Sequence, residues 1–249
     1  LRSRFQTHIS NIRDMMKRYD LRQMATSVYY EMYNDLRWYL RRGGADNETL
    51  MDVLKIWIQS MMPITPHTAE ELWNLAGFEG LVAESFYPEP RERYPMAEYG
   101  EDLIRSTISD ISQIKKVAEI EPSKIYIYTS PSWKRDVYRM AAEILDSGEE
   151  LTIPGLTKMA MADPEIRTNG KAASDLSRKV TEELKREDPS KIRRYADTDE
   201  FGIIKEAAEF LEEELGAPVS VYNADDKEKY DPKNRSSVAV PGRPAIYLE

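Results

Sequence analysis

Few residues of this 249-residue chain are placed for covalent chemistry. It has no cysteine, which removes disulfides, thiolate nucleophiles and thiolate metal sites together. His8 and His67 are its only imidazoles, too few for a zinc site of the usual kind. The adjacent acids Glu70 and Glu71 resemble an acid–base pair, but neighbours on a helix point about a hundred degrees apart and share no site. Negative charge near a helix start accounts for them better. No glycine-rich phosphate loop and no nucleophile elbow occurs. The expectation is a chain with no catalytic residues and no metal ligands of its own.

Recognition remains. The net charge is −9, from 35 Lys and Arg against 44 Asp and Glu, which argues against a polyanionic partner. Its distribution argues the other way. Leu1 to Arg42 holds nine basic against four acidic residues, and Arg167 to Arg194 nine against five. Tyr195 to Gly216 has one lysine against eight acids. Such segregation suits one face for a polyanion and one for solvent. Phosphate contacts need exposed Arg and Lys, and the first candidates are Arg13, Lys17, Arg18, Arg41 and Arg42. Base contacts need a stacking surface and free backbone at an element end. Thr129, Ser130, Ser132 and Trp133, followed by Lys134 and Arg135, offer ring, backbone and charge together. A competing reading packs Trp133 as an apolar staple at a helix start. Lys191, Arg193, Arg194 and Arg243 are further phosphate candidates, each also readable as a solvated side chain.

These residues need elements to hold them. The expected fold is mainly α: an N-terminal helical bundle, then a small α/β domain with a three- or four-stranded sheet. Phe5, Ile9, Ile12 and Met16 stripe a helix from Leu1 to Arg18, and Met24, Val28, Met32, Leu36 and Leu40 stripe a second from Leu21 to Arg42. Asp46 to Thr49 starts a third, whose inward face is Leu50, Val53, Leu54, Trp57, Ile58 and Met61. Pro63 stops it. Thr65 sits as N-cap, Pro66 opens the next helix on Ala69, Leu72, Trp73 and Ala76, and Gly77 ends it. Both tryptophans are expected in one core.

Leu81 to Pro95, with three prolines, reads as a strap, placing domains at 1–94 and 95–249. A helix comes next, from Ala97 to Val117. Lys124 to Thr129 alternates as a strand. Helices are expected at Trp133–Leu145, Pro154–Met161, Lys171–Arg186 (Ala172, Leu176, Val180 and Leu184 inward) and Asp199–Leu215. Pro218–Tyr222 reads as a second strand, and Asp225–Ser236 as a mobile charged loop. Ser237–Val240 and Ala245–Leu248 are short strand candidates about a Pro-Gly-Arg-Pro turn. Pairing the first strand with the last would order the tail.

The corner Pro66-His-Thr-Ala-Glu-Glu-Leu-Trp73, entered from an apolar helix ending at a proline, resembles the helical anticodon-binding-type domain of class I aminoacyl-tRNA synthetases. It is most similar to the leucine, isoleucine and valine branch. The tail Pro241-Gly-Arg-Pro-Ala-Ile-Tyr-Leu-Glu249 resembles the carboxyl end of archaeal leucyl-tRNA synthetases, and the likeness covers nearly the whole chain. Lys158-Met159 matches only the start of the family's Lys-Met-Ser-Lys-Ser loop, and His-Ile-Gly-His is absent. The resemblance therefore implies a C-terminal fragment. The adenylate-forming domain, with its ATP and magnesium, and any editing domain would lie upstream of Leu1. It also implies tRNA(Leu) as partner, a helical domain beside the tRNA body, and a C-terminal domain reaching the elbow or the long variable arm. Absence of a membrane span or signal peptide fits the cytosol. The alternatives are the same portion of an isoleucyl or valyl enzyme, or a non-enzymatic scaffold or protein-interaction module.

Overall fold

The computed structural model describes residues 1–184 and 190–249. The chain divides into two compact units, Leu1–Glu98 and Tyr99–Glu249.

The first unit is helical. α1 spans Arg2–Lys17, α2 Leu21–Thr26, and α3 Met32–Arg41, with a π-helical turn at Ser27–Glu31 joining the last two. α4 spans Asn47–Met61 and α5 Pro66–Leu75. Apolar spacing explains the core: Phe5, Ile9, Ile12, Met24, Val28, Met32, Val53 and Ile56 pack together. The second helix runs nearly as expected, but the π turn is wider than an α turn and rotates α3 relative to α2. Leu40 is therefore 50% exposed, and Asp35 is buried instead. His8 Nε2 lies 2.9 Å from the Asp35 carboxylate and Nδ1 3.1 Å from Ser27 Oγ, so the π turn is tied to α1.

Three local expectations need correction. Trp57 and Trp73 serve neighbouring clusters: Trp57 packs on the first, and Trp73 joins Ile58, Ala69 and Val82 in a second. Their indoles donate to Val28 O at 2.7 Å and Glu79 O at 3.1 Å. Thr65 makes no side-chain cap, because its hydroxyl bonds Tyr29 OH. Glu70 accepts the Val82 and Ala83 amides, each at 3.0 Å, and so pins the 3₁₀ turn Val82–Glu84. Beyond that turn the strap is tied back by hydrogen bonds. Gln59 donates to Phe86 O at 3.0 Å, Arg91 N to Gln6 Oε1 at 2.8 Å, and Tyr94 N to Ser3 Oγ at 2.7 Å.

α6, Pro95–Ala118, leads into the second unit. There β1 (Ile125–Thr129), β2 (Val219–Asn223) and β3 (Ala245–Leu248) form a sheet in the order β2-β1-β3. β1 and β2 are parallel, with Ile125 opposite Val219; β1 and β3 are antiparallel, with Ile125 opposite Leu248. Being central, β1 is buried along its whole length rather than alternating. The tail is fixed as expected: Glu249 O accepts from Ser123 N at 2.6 Å. Around the sheet lie α7 (Ser132–Asp146), α8 (Ile153–Ala162), α9 (Pro164–Arg167), α10 (Gly170–Leu184), α11 (Ser190–Asp197), α12 (Glu200–Glu206) and α13 (Ala208–Leu215). Val137, Ala141, Leu156, Ile166, Leu176, Val180 and Ile192 form the helical core.

Several boundaries differ from expectation here. Ser237–Val240 is no strand: Arg235–Val238 is a 3₁₀ turn, and only Val240 bridges Arg243. Asp199–Leu215 is two helices, broken at buried Ala207. On α10, Ala173 is buried and Ala172 exposed. The inward placement of Leu184 and that helix's reach to Arg186 fall outside the described residues. The charged loop is tied down, with Asp231 capping the Arg235 and Ser236 amides at 2.7 and 2.9 Å.

Gly242 succeeds Pro241 with φ +78°, and a Cβ there would overlap the Tyr195 ring. Its amide donates to Glu200, whose carboxyl also accepts from Tyr99 OH at 3.0 Å. Glu200 is 2% exposed, and its second oxygen is enclosed without a partner among the described residues. Burial pushes the Glu200 carboxyl up from its ordinary range, against the hydrogen bonds from Gly242 and Tyr99 and the charge of Arg135. A carboxyl raised in the fold stabilises least when ionised, so this contribution falls as pH climbs from about 4.3 through the folded value. Glu200→Gln keeps an acceptor for both donors and cannot ionise. Urea unfolding from about pH 4 to pH 8 should show the substituted chain gaining stability relative to the original as pH rises.

Candidate nucleic-acid interface

Parallel pairing puts the carboxyl ends of β1 and β2 side by side, and the crevice outside such ends is where open sheets hold ligands. Each strand contributes one wall. After β1 the chain turns at Pro131 into α7. After β2 it supplies Asp225, whose carboxylate accepts the Ser132 amide at 2.6 Å and so caps the first turn of α7. Trp133 stands half-buried beside this junction, packed against the helical core. The resulting cleft measures about 550 Å³. Its lining includes Trp133, Asn169, Asp175, Lys179, Asp225 and Val238. Asn169, Asp175 and Lys179 belong to the α9–α10 region, and Val238 to the last 3₁₀ turn. The ring offers a stacking surface, Asp175 and Asp225 offer acceptors for amino groups, and Lys179 offers a cation at the rim. That combination suits one unpaired nucleotide.

Of the rest of the expected reading surface, Thr129, Ser130 and Lys134 are turned inward, while Ser132 and Arg135 are half-buried. Thr129 and Ser130 are each 2% exposed, because β1 is central and its exit is covered. Their hydroxyls donate to Tyr222 O at 3.4 Å and Pro131 O at 3.2 Å. Lys134 is buried and donates to Ser237 O at 2.7 Å and Ala239 O at 2.6 Å, tying α7 to the final 3₁₀ turn. Burial holds its ammonium below the usual lysine range, and the charge of Lys179 adds to this. The ammonium also sits 5.5 Å from the centre of the Trp133 ring. Arg135 is half-buried, with its Nε enclosed and unbonded among the described residues. Trp133 thus packs on the helical core at the start of α7 and also lines the cleft.

The phosphate candidates divide as well. Arg13 donates to Pro88 O at 3.1 Å and pairs with Glu89 at 2.8 Å, so it holds the strap. Lys17 is exposed and pairs with Asp14 at 2.9 Å, a pairing that costs little to exchange for a phosphate. Arg18 is exposed beyond it, and Arg41 is exposed with its guanidinium 5.9 Å over Trp38. Arg42 is half-buried at the end of α3. Lys191 lies 5.8 Å over the Tyr195 ring, Arg193 pairs with Asp146, and Arg194 Nε donates to Ser190 O at 3.3 Å. Arg243 is exposed on the Pro-Gly turn. Asn169, Asp175 and Asp225 carried no local signal, and Lys179 only its membership of the basic stretch Arg167–Arg194, since only the fold brings them to Trp133. Among the described residues, no group of three or more His, Asp or Glu could hold a metal ion, and no helix is long and apolar enough to cross a membrane.

Residues 1–127 match the family described as the anticodon-binding domain of tRNA ligase, and the chain belongs to that family. Along 99% of its length it is 37% identical to a leucine–tRNA ligase of Methanosarcina acetivorans, covering 26% of that protein. It is 38% identical, again over 99% of the chain, to the leucine–tRNA ligase of Methanothrix thermoacetophila, covering 25% of it. For the enzyme of Methanocaldococcus jannaschii the figures are 34%, 100% and 24%. The chain therefore spans about a quarter of the length of the curated relatives it matches.

A direct check separates structural from solvent-facing cations. Lys134→Ala leaves the buried Ala239 carbonyl and the part-buried Ser237 carbonyl without this donor and should cost about 1–3 kcal/mol in denaturant unfolding. Arg18→Ala, at an exposed position, should stay within about 0.5 kcal/mol.

Proposed function

We propose that this chain is the tRNA-recognition portion of a leucine–tRNA ligase. What carries the reading is its similarity, over almost every residue, to leucine ligases of several archaea. The same relatives favour leucine over the isoleucine and valine branches. The parent enzyme would join leucine to tRNA(Leu) at the expense of ATP, with magnesium. Activation and editing would fall to other domains of the same polypeptide, working in the cytosol. The helical unit would support the tRNA body through Lys17, Arg18, Arg41 and Arg42. The second unit would meet the elbow or the long variable arm, with Trp133 stacking on an unpaired nucleotide and Lys179 and Arg243 near its phosphates.

Affinity of the 249-residue chain for tRNA(Leu) is the test, measured with the variable arm intact and trimmed at two salt concentrations. Binding should weaken steeply with salt, as phosphate contacts require. Trimming the arm, or Trp133→Ala, should each cost about tenfold in affinity at either salt. Equal binding to both RNAs would remove the arm from this chain's role. Salt-insensitive binding would favour a protein partner.

A further inference from the structure

α1 ends in an unusual way. The amides of Arg18 and Asp20 both turn back to Met15 O, at 3.1 and 2.9 Å, and the Tyr19 amide bonds Met16 O at 3.1 Å. This reversal needs one residue in the left-handed region, and that residue is Tyr19, at φ +57°. Glycine fills the corresponding role elsewhere: Gly43 after α3, Gly77 after α5, Gly148 after α7 and Gly216 after α13 all have φ between +71° and +80°. Glu119 does the same after α6 at φ +52°, but with a carboxylate that water solvates readily. A bulky aromatic in this region is strained. Burial of the ring could offset the strain, yet Tyr19 is 87% exposed. The fold therefore holds an aromatic ring in solvent at a cost to itself, and such outliers point to function.

The surroundings indicate the occupant. Lys17, Arg18 and Arg22 are exposed within three residues of Tyr19, and Leu21 beside it is 62% exposed. Asp20, the acid next to the ring, is turned to cap α2, accepting the Gln23 amide at 3.2 Å. A solvated ring flanked by arginines is the arrangement that stacks on an unpaired base while cations meet the adjoining phosphates. We propose that Tyr19 is a stacking residue for an unpaired RNA base, with Arg18 and Arg22 on the flanking phosphates. The inference rests on the reading that this chain binds tRNA, and it adds a second aromatic contact in a different unit from Trp133.

Tyr19→Gly removes the strain and the ring together, while Tyr19→Phe keeps the ring. The chain carrying Tyr19→Gly should unfold about 2–4 °C higher and bind tRNA(Leu) about tenfold more weakly, with an unchanged dependence on salt. Tyr19→Phe should bind like the original. A merely structural role would not combine greater stability with weaker binding. Equal tRNA affinity for the original chain and Tyr19→Gly would overturn the assignment of Tyr19 and leave the tRNA reading standing. No tRNA binding by the original chain would overturn both. Unchanged RNA affinity with weakened association to the separately purified remainder of the ligase would give the ring to a protein partner instead.

Discussion

Everything in the second unit hangs on the backbone of β1. Ile125–Thr129 is buried along its length, so its amides and carbonyls must be met on both edges by protein. β2 meets one edge in parallel and β3 the other antiparallel. Neither strand alone suffices. The parallel pairing aligns the two carboxyl ends and so creates the cleft. The antiparallel pairing brings the last 3₁₀ segment to the cleft, where Lys134 fastens it, while Glu200 holds the Pro-Gly turn. The position of Trp133 is set by these constraints rather than by its own packing alone.

Much of this architecture was legible in the sequence because it is written in local periodicity. The helical stripes of α1 and α4, the proline corner at Pro66 and the glycine stop at Gly77 declare themselves within a few residues. The illegible parts depended on long-range closure. The π turn rotates Leu40 out and Asp35 in because of a partner, His8, in another helix. The break at Ala207 hides in a run that would propagate a helix if isolated. α11, Ser190–Asp197, has only Ile192 and Ala196 buried, too thin a stripe to announce a helix.

The site shows the same division. Trp133 was identifiable from type and position, and exposed cations such as Arg18 and Arg41 from charge segregation. Lys134 and Arg13 have the same chemistry in sequence, yet each is committed to backbone carbonyls that only folding supplies. Lys179 was one basic residue among nine in Arg167–Arg194, with nothing to single it out, and Asp225 read only as part of a charged loop. Charge on its own reports what a residue could touch. Burial decides what it does touch.

Strand order also bears on how the chain comes to be made. Tyr126 and Glu249, hydrogen-bonded in the finished fold, lie 123 residues apart. On a ribosome, β1 emerges long before either neighbour, and at ordinary elongation rates it waits roughly ten seconds for its last one. During that interval an apolar, β-prone segment has open edges, while the helices behind it can already form from local contacts. Synthesis of the closing strand is thus the step that ends its exposure. A stall or truncation ahead of β3 would leave the helical layers assembled around a strand with one edge unpaired, which is a hazard of aggregation rather than of lost binding.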